Sequence, residues 1–135
     1  MILANATAPF NSFKEMVEYS SVLVGDGGLL YNPVPQSLAF AKESNLPIMI
    51  VVFNNGGYKS MTENQLSYYP HGDAAKHKIF CGEALNGFDY DELVRPFGGF
   101  GTRVSDRARL RPAIEDAYAA LKSGKSAIVN VLLEV

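Results

Sequence analysis

The two stretches that decide the fold are SVLVGDGG, residues 21–28, and IMIVVFNNGG, residues 48–57. Each begins as a run of apolar, mostly β-branched residues and ends in glycine or asparagine, which is the pattern of a strand followed by a turn. Neither run alternates apolar with polar residues, and this is typical of parallel strands covered on both faces. Pro33 and Pro35 open a helical segment between the runs, and Asn45-Leu46-Pro47 closes it. The unit is therefore β-α-β, with the right-handed crossover usual for such units.

The rest of the chain continues this alternation of strands and helices. The pattern predicts strands at about 21–25, 48–53, 100–104 and 127–133, and helices at about 34–44, 90–97 and 112–122. These elements predict an α/β domain with a mostly parallel sheet and three α/β/α layers.

Prolines and glycines set the expected ends of the later elements. Pro112 fits the first position of the last helix, and Gly124 its stop. The inner face of that helix should carry Ile114, Ala117, Tyr118 and Leu121. The segment from Gly56 to about Phe88 shows no strong period, so it is predicted as a long loop that is either functional or disordered.

Length and composition limit the classes of function. The 135 residues suit one domain, which we place at 20–135 behind an N-terminal segment, 1–19. The net charge is −2 and no basic stripe exists, which argues against a nucleic-acid partner. The longest apolar run, Ile48 to Phe53, is too short to span a membrane. The first residues lack the features of a signal peptide, and Cys81 is the only cysteine. We therefore expect a cytoplasmic protein.

One constellation of polar residues points to chemistry. Gly25-Asp26-Gly27 is followed, after 26 residues, by Asn54-Asn55. Both groups stand at the carboxyl ends of predicted parallel strands, where ligands bind in open α/β sheets. One β-α-β crossover separates them, so a carboxylate and a carboxamide should face the same crevice.

The residue types of this constellation suit a metal-bridged diphosphate. Oxygens of Asp and Asn are hard ligands, and Mg²⁺ often completes its shell with phosphate oxygens. Gly27 and Gly28 would let a phosphate approach backbone N–H groups closely. A dinucleotide fingerprint would require glycine where Leu30 stands. A P-loop, G-x-x-x-x-G-K-[ST], would require glycine at Ala119, five residues before Gly124-Lys125-Ser126. The alternative without function is a tight turn at Gly25 and a polar strand end at Asn54.

The constellation resembles the signature of thiamine-diphosphate-dependent enzymes. The stretches VGDGGLL, residues 24–30, and VVFNNGGY, residues 51–58, are similar to the C-terminal, diphosphate-binding domain of the acetolactate synthase and benzoylformate decarboxylase-like group. The resemblance covers about residues 20–135 and is specific for cofactor and fold, but not for substrate.

The resemblance implies thiamine diphosphate and Mg²⁺ as cofactors and gives roles to individual residues. Asp26 through its carboxylate, Asn55 through its side-chain oxygen and Gly57 through its backbone carbonyl would bind the metal. The cofactor would also be bordered by further residues of the two loops: Gly25, Gly27, Gly28, Tyr58 and Met61. Asn54 would brace the loops. The resemblance identifies no catalytic residue in this chain.

The resemblance also implies a partner. Enzymes of this group carry a pyrimidine-binding domain with an activating glutamate, and residues 1–19 do not match their glycine-rich helix. We therefore expect a component or fragment of a lyase or transferase acting on a small 2-oxo acid, inactive until a pyrimidine-binding domain or chain completes a homo- or hetero-oligomer. The alternative is a non-catalytic binding or assembly module that retains the fold.

Several residues keep two interpretations. Met61 either borders the reacting atoms or fills core space. The segment from Tyr68 to Gly72 forms either a lid or, as we favour, an aromatic clamp on the long loop. His71 and His77 are interpreted as exposed loop histidines rather than acid–base groups. A helix with Phe10, Phe13, Met16 and Val17 on one face is interpreted as a packing helix, and Cys81 as a buried small residue.

Overall fold

One parallel sheet organises the molecule. The computed structural model of the chain describes residues 21–80, 84–85 and 88–133. Its four strands are β1 (Ser21–Gly25), β2 (Met49–Asn54), β3 (Phe100–Val104) and β4 (Ala127–Leu132), in the order β1-β2-β4-β3. Every neighbouring pair is parallel, so all four strands end at one side of the sheet, the carboxyl edge. The predicted parallel sheet is confirmed, with strand ends within one residue of those expected.

Helices pack on both faces of the sheet. The helices of the described residues are α1 (Asp26–Leu30), α2 (Val34–Glu43), α3 (Lys59–Tyr68), α4 (Asp73–His77), a 3₁₀ helix (Tyr90–Phe97) and α5 (Arg107–Lys122). On one face, α1, α2 and the 3₁₀ helix pack on the sheet through Leu29, Val34, Leu38, Tyr90 and Val94. On the other face, α5 packs through Ala113, Ala117 and Leu121. The α/β architecture with helices on both faces is therefore confirmed.

The last helix begins earlier than the position of Pro112 predicted. Helix α5 starts at Arg107, because the carboxylate of Asp106 accepts a hydrogen bond of 2.9 Å from the N–H of Ala108 and caps it. Pro112 lies inside the helix. Tyr118 was expected on the inner face but is largely exposed, with the Lys122 ammonium 4.5 Å from the centre of its ring. Gly124, with a φ of +81°, follows the helix as expected.

The segment predicted as a long loop contains two helices. Helix α3 buries none of its residues, and neither does α4. An apolar stripe is the usual sequence signal of a helix, and an unburied helix has no need of one. The predicted helix over 90–97 exists but has the tighter 3₁₀ winding, with Pro96 inside it.

The predictions for residues 1–19 and for Cys81 lie outside the described residues. Over residues 21–80, 84–85 and 88–133, no helix is long and apolar enough to cross a membrane.

Candidate functional site

The carboxyl edge brings the two predicted loops together. Gly25, the last residue of β1, is the register partner of Phe53 in β2. Asp26 therefore begins α1 beside the point where β2 ends at Asn54. The side chain of Asp26 is buried, with the residue only 2% exposed. A carboxylate so deeply buried needs hydrogen bonds or a cation beside it.

The side chains of Asp26 and Asn55 meet at one backbone N–H group. The N–H of Gly57 donates to Oδ2 of Asp26 at 3.0 Å and to Oδ1 of Asn55 at 3.1 Å. The carboxylate and the carboxamide predicted to share a crevice therefore lie within hydrogen-bonding distance of a single nitrogen. Carboxylate and carboxamide oxygens have further lone pairs, so each can also coordinate a cation.

Asn54 has a different environment from Asn55. Its side-chain NH₂ donates to Oδ1 of Asn130 at 3.2 Å, and its Oδ1 accepts from the N–H of Gly56 at 3.0 Å. Both ends of the Asn54 amide are thus used within the protein. These contacts brace the loop that joins β2 to α3.

Neighbouring side chains lie close to the two glycines that follow Asp26. A Cβ atom added to Gly27 would lie 2.6 Å from Cδ1 of Tyr58, so the tyrosine ring rests on the bare backbone of this glycine. A Cβ atom on Gly28 would lie 3.2 Å from Cγ2 of Val24. Glycine at position 27 is therefore required by the position of Tyr58, whatever ligand the loop binds.

Tyr58 joins the two loops through its aromatic contacts. Its ring centre lies 5.9 Å from that of Tyr31, with 44° between the ring planes. Burial raises the pKa of Tyr58, and the hydrogen bond and charge of Tyr31 and the charge of Asp26 raise it further. Tyr58 therefore stays neutral at physiological pH and offers an uncharged ring next to Gly27. No pattern in the sequence predicted the contact of Tyr31 with Tyr58.

The residues beyond Tyr58 are exposed. Met61, in the first turn of α3, is 64% exposed, so the interpretation that it fills the core is wrong. Tyr68 and Tyr69 are also exposed, which contradicts the aromatic clamp that we favoured. His71 and His77 are exposed as predicted, although His77 ends helix α4 rather than lying in a loop.

Tyr90 is a polar group close to the site that the sequence did not suggest. The residue is 1% exposed, and its hydroxyl has no hydrogen-bond partner in the structure of residues 21–80, 84–85 and 88–133. Burial raises the pKa of Tyr90, and the charge of Asp26 and the neighbouring Tyr58 raise it further. An unpaired buried hydroxyl thus lies within the electrostatic reach of Asp26.

The oxygens at this edge fit a hard cation. Among the described residues, no group of three or more His, Cys, Asp or Glu side chains could hold a metal ion. The set at the carboxyl edge is of another kind: one carboxylate, one carboxamide and the neighbouring backbone carbonyl of Gly57. Mg²⁺ accepts such a small set of protein oxygens when phosphate oxygens and water complete its shell. The buried carboxylate of Asp26 and the side-chain oxygen of Asn55, brought together at the N–H of Gly57, fit a metal-bridged diphosphate.

Sequence comparisons agree with this geometry. The family model described as "Thiamine pyrophosphate enzyme, C-terminal TPP binding domain" matches residues 14–131; thiamine pyrophosphate is thiamine diphosphate. A probable acetolactate synthase of Mycobacterium bovis is 38% identical over 90 residues, covering 67% of this chain and 15% of the relative. A 2-hydroxyacyl-CoA lyase of Arabidopsis thaliana is 32% identical over 93 residues, with the same two coverages. The chain thus spans about 15% of the length of these curated relatives.

A solved structure has the same fold. The thiamine diphosphate-dependent 4-hydroxybenzoylformate decarboxylase of Rhodococcus jostii RHA1 matches 85% of this chain and 19% of its own, with a TM-score of 0.61 and 22% identity. At this identity the likeness concerns the fold alone. The family match, the relatives and the loops at the carboxyl edge lead to one conclusion: the chain belongs to the family of C-terminal, thiamine-diphosphate-binding domains of thiamine-diphosphate-dependent enzymes.

Proposed function

We propose that this chain anchors the diphosphate and Mg²⁺ of thiamine diphosphate in an enzyme that decarboxylates or ligates 2-oxo acids. The observation that carries the proposal is the convergence of Asp26 and Asn55 on the N–H of Gly57. When bound, thiamine diphosphate supplies the stabilisation of a carbanion that such reactions need. The relatives named as acetolactate synthase and 2-hydroxyacyl-CoA lyase favour this class of reaction.

The proposed roles follow the chemistry of each group. Asp26, Asn55 and the carbonyl of Gly57 hold the metal, and the carboxylate supplies the only negative charge among these three ligands. The N–H groups of Gly27 and Gly28 face the diphosphate. Gly25, Tyr58 and Met61 border the cofactor along the same edge. The charge of the diphosphate would repel buried Asp26, so the cation between them is needed for binding.

A partner domain is part of the proposal. The segment from α3 to Ile79 exposes large apolar side chains, namely Met61, Leu66, Tyr68, Tyr69 and Ile79. Exposed apolar groups in such number are typical of a surface that binds protein. We propose that a pyrimidine-binding domain or chain of the same enzyme covers this segment and completes a homo- or hetero-oligomer. The isolated chain should then be inactive, and its cytoplasmic location stays a prediction.

The metal site can be tested by calorimetry with thiamine diphosphate. We expect binding only with Mg²⁺ or a similar hard cation, and hardly any binding of thiamine without phosphates. Asp26→Ala should abolish binding because it removes the anionic ligand. Asn55→Ala should weaken binding more than Asn54→Ala, since only Asn55 is assigned to the metal.

The titration needs a control variant and an added pyrimidine-binding domain. Asp116→Ala removes an exposed carboxylate of α5 and should leave binding unchanged. A pyrimidine-binding domain from an acetolactate synthase should be added in a parallel titration, because half of the cofactor needs that pocket. Equal affinity with and without metal, or no effect of Asp26→Ala, would refute the site. Metal-dependent binding without turnover of any 2-oxo acid in the completed assembly would favour a non-catalytic module.

A further inference from the structure

A row of three polar side chains, two of them buried, crosses the sheet behind the metal loop. Asn130 lies in the middle of β4 and is fully buried, opposite Val52 in the register. Its side-chain NH₂ donates to Oδ1 of Asp91 at 3.0 Å, and its Oδ1 accepts from the NH₂ of Asn54 at 3.2 Å. We call this hydrogen-bonded series of one carboxylate, Asp91, and two side-chain amides, Asn130 and Asn54, the amide row. A buried polar side chain in an otherwise apolar strand needs hydrogen-bond partners, and Asn130 has one at each end of its amide.

The far end of the row is held by the 3₁₀ helix. Gly101 of β3 has no side chain, and a Cβ atom there would collide with the backbone carbonyl of Asp91. This close approach places the carboxylate of Asp91, which is 6% exposed, beside the buried strand β4. Nε of Arg103 lies 3.4 Å from Oδ1 of Asp91, and its Nη2 pairs with Asp89. The guanidinium thus balances the charge of a carboxylate that is buried.

All hydrogen bonds of the row are donated in the same direction, and the carboxylate of Asp91 determines that direction. A carboxylate only accepts hydrogen bonds, so Asn130 must turn its NH₂ toward Asp91 and its oxygen toward Asn54. Asn54 must then donate with its NH₂, which leaves its own oxygen for the N–H of Gly56 at 3.0 Å. Gly56 has a left-handed φ of +73° and lies between Asn55 and Gly57. The row therefore ends on the backbone between the two residues assigned to the metal.

We propose that Asp91 and Asn130 are positioning residues of the site, which act through Asn54 to fix the backbone at Gly56. They thereby determine how the side chain of Asn55 and the carbonyl of Gly57 face the metal. The second half of this inference rests on the proposed function, whereas the fixing of Gly56 does not.

The first test measures hydrogen exchange of the Gly56 amide by NMR. In Asn130→Ala and in Asp91→Ala, we expect exchange of this amide to be about 5–10-fold faster than in the wild type, the effect of losing one hydrogen bond. The amide of Val52, inside β2, reports any general loss of stability and serves as the internal reference. Unchanged exchange at Gly56, or a change no larger than at Val52, would overturn the inference.

Ser126→Ala is the matched control. Ser126 also lies next to β4 and also bonds to the β2 segment, but at the other end of the sheet, where its Oγ accepts from the N–H of Ile48 at 3.2 Å. This variant should speed exchange at Ile48 and leave Gly56 unchanged. An equal effect of Ser126→Ala at Gly56 would show a general loosening of the sheet and would contradict the inference.

A double variant keeps the inference testable if the alanine variants fail to fold. Asp91→Asn combined with Asn130→Asp exchanges the two side chains and conserves their volumes. The carboxylate then stands at position 130 and accepts from both amides, so Asn54 still donates in the same direction. Protection of Gly56 should stay within about twofold of the wild type. Loss of protection in this double variant would refute the assigned direction.

The second readout is the Mg²⁺ concentration at half-saturation of thiamine diphosphate binding, measured with the pyrimidine-binding domain added. We expect it to rise about 5–10-fold in Asn130→Ala and to stay unchanged in Ser126→Ala. Faster exchange at Gly56 with no metal-dependent binding even by the wild type would support the fixing of Gly56 and reject the proposed function. Wild-type exchange at Gly56 in Asn130→Ala, together with metal-dependent binding, would support the proposed function and reject the fixing of Gly56.

Discussion

At the residue scale, the hydroxyl of Tyr90 is an unusual group. It is buried in the core face beside Leu38 and Val94 and has no hydrogen-bond partner in the described part of the chain. A buried polar atom without a partner costs about 1–3 kcal/mol. Removing the oxygen while keeping the ring should therefore relieve this cost and preserve the packing.

Tyr90→Phe should stabilise the protein by about 1 kcal/mol near neutral pH. The gain should grow at alkaline pH, because burial and the charge of Asp26 raise the pKa of Tyr90 in the folded state. Above the ordinary tyrosine pKa of about 10, the unfolded chain loses a proton that the folded chain retains. The wild type therefore loses stability as pH rises through this window, and Tyr90→Phe should lose less.

Urea denaturation at pH 7 and pH 10.5 would measure both effects. Tyr118→Phe, at a largely exposed position of α5, is the matched control and should change the stability little at either pH. A destabilised Tyr90→Phe variant would mean that the hydroxyl has a partner in the folded protein.

The spacing in the sequence predicted the site only as far as local patterns extend. Asp26 and Asn55 follow two strands of one β-α-β unit, so their meeting could be inferred from the motif. Asp91 and Asn130 are distant in sequence from that motif, and only the register of β2 and β4 brings Asn130 to Asn54. A signal existed nonetheless, because Asn130 interrupts an otherwise apolar strand, AIVNVL, and a buried amide needs a partner.

At the scale of elements, the 3₁₀ helix depends on its closeness to β3. The backbone of Asp91 lies where a side chain at Gly101 would be, and Val94 lies where one at Gly99 would be. This contact leaves no room for a methyl group on the strand. Adding even a methyl group at Gly101 should therefore displace the 3₁₀ helix and, with it, Asp91 at the end of the amide row.

Gly101→Ala should lower the free energy of unfolding by about 3 kcal/mol, the upper range for overpacking of a core. Gly98→Ala is the comparison, since a Cβ atom there meets nothing within 4 Å but the residue has a φ of +77°. It should cost about 1 kcal/mol from backbone strain alone. Chemical denaturation of both variants measures the difference, and equal costs would show that β3 and the 3₁₀ helix do not touch as described.

The success of prediction for each element followed the strength of its pattern. The four strands were predicted within one residue because their apolar runs are buried and bounded by turn residues. Helix α3 was missed because its sequence, KSMTENQLSY, has no apolar stripe and buries nothing. The start of α5 was not predicted, because the prediction rested on Pro112, whereas the side chain of Asp106 caps the helix, which begins five residues before the predicted start.

At the scale of the whole molecule, the surface is uneven. Leu23 of β1 and the segment from Met61 to Ile79 expose apolar side chains, whereas β4 is almost fully buried. The sequence predicted a partner from a family resemblance, since neither composition nor periodicity indicates which face stays uncovered. It predicted parallel pairing, but the position of β4 between β2 and β3 depends on packing across the sheet.

That strand order implies an order in time. Among the described strands, β4 is the last in the chain and the only one that joins β2 to β3 in the sheet. During synthesis, we therefore expect β3 to leave the ribosome before β4, the described strand with which it pairs, and to stay separate from β1 and β2 until β4 follows.

Ribosome-bound chains of increasing length should therefore resist protease only once residues up to Leu132 have emerged. Chains that expose only residues up to Gly124 should be digested throughout, because β3 and α5 then have no strand to close the sheet. Protection of β3 before β4 emerges would contradict this order. For this domain, we therefore expect the fold to be completed late and nearly all at once, when the six residues of β4 enter the middle of the sheet.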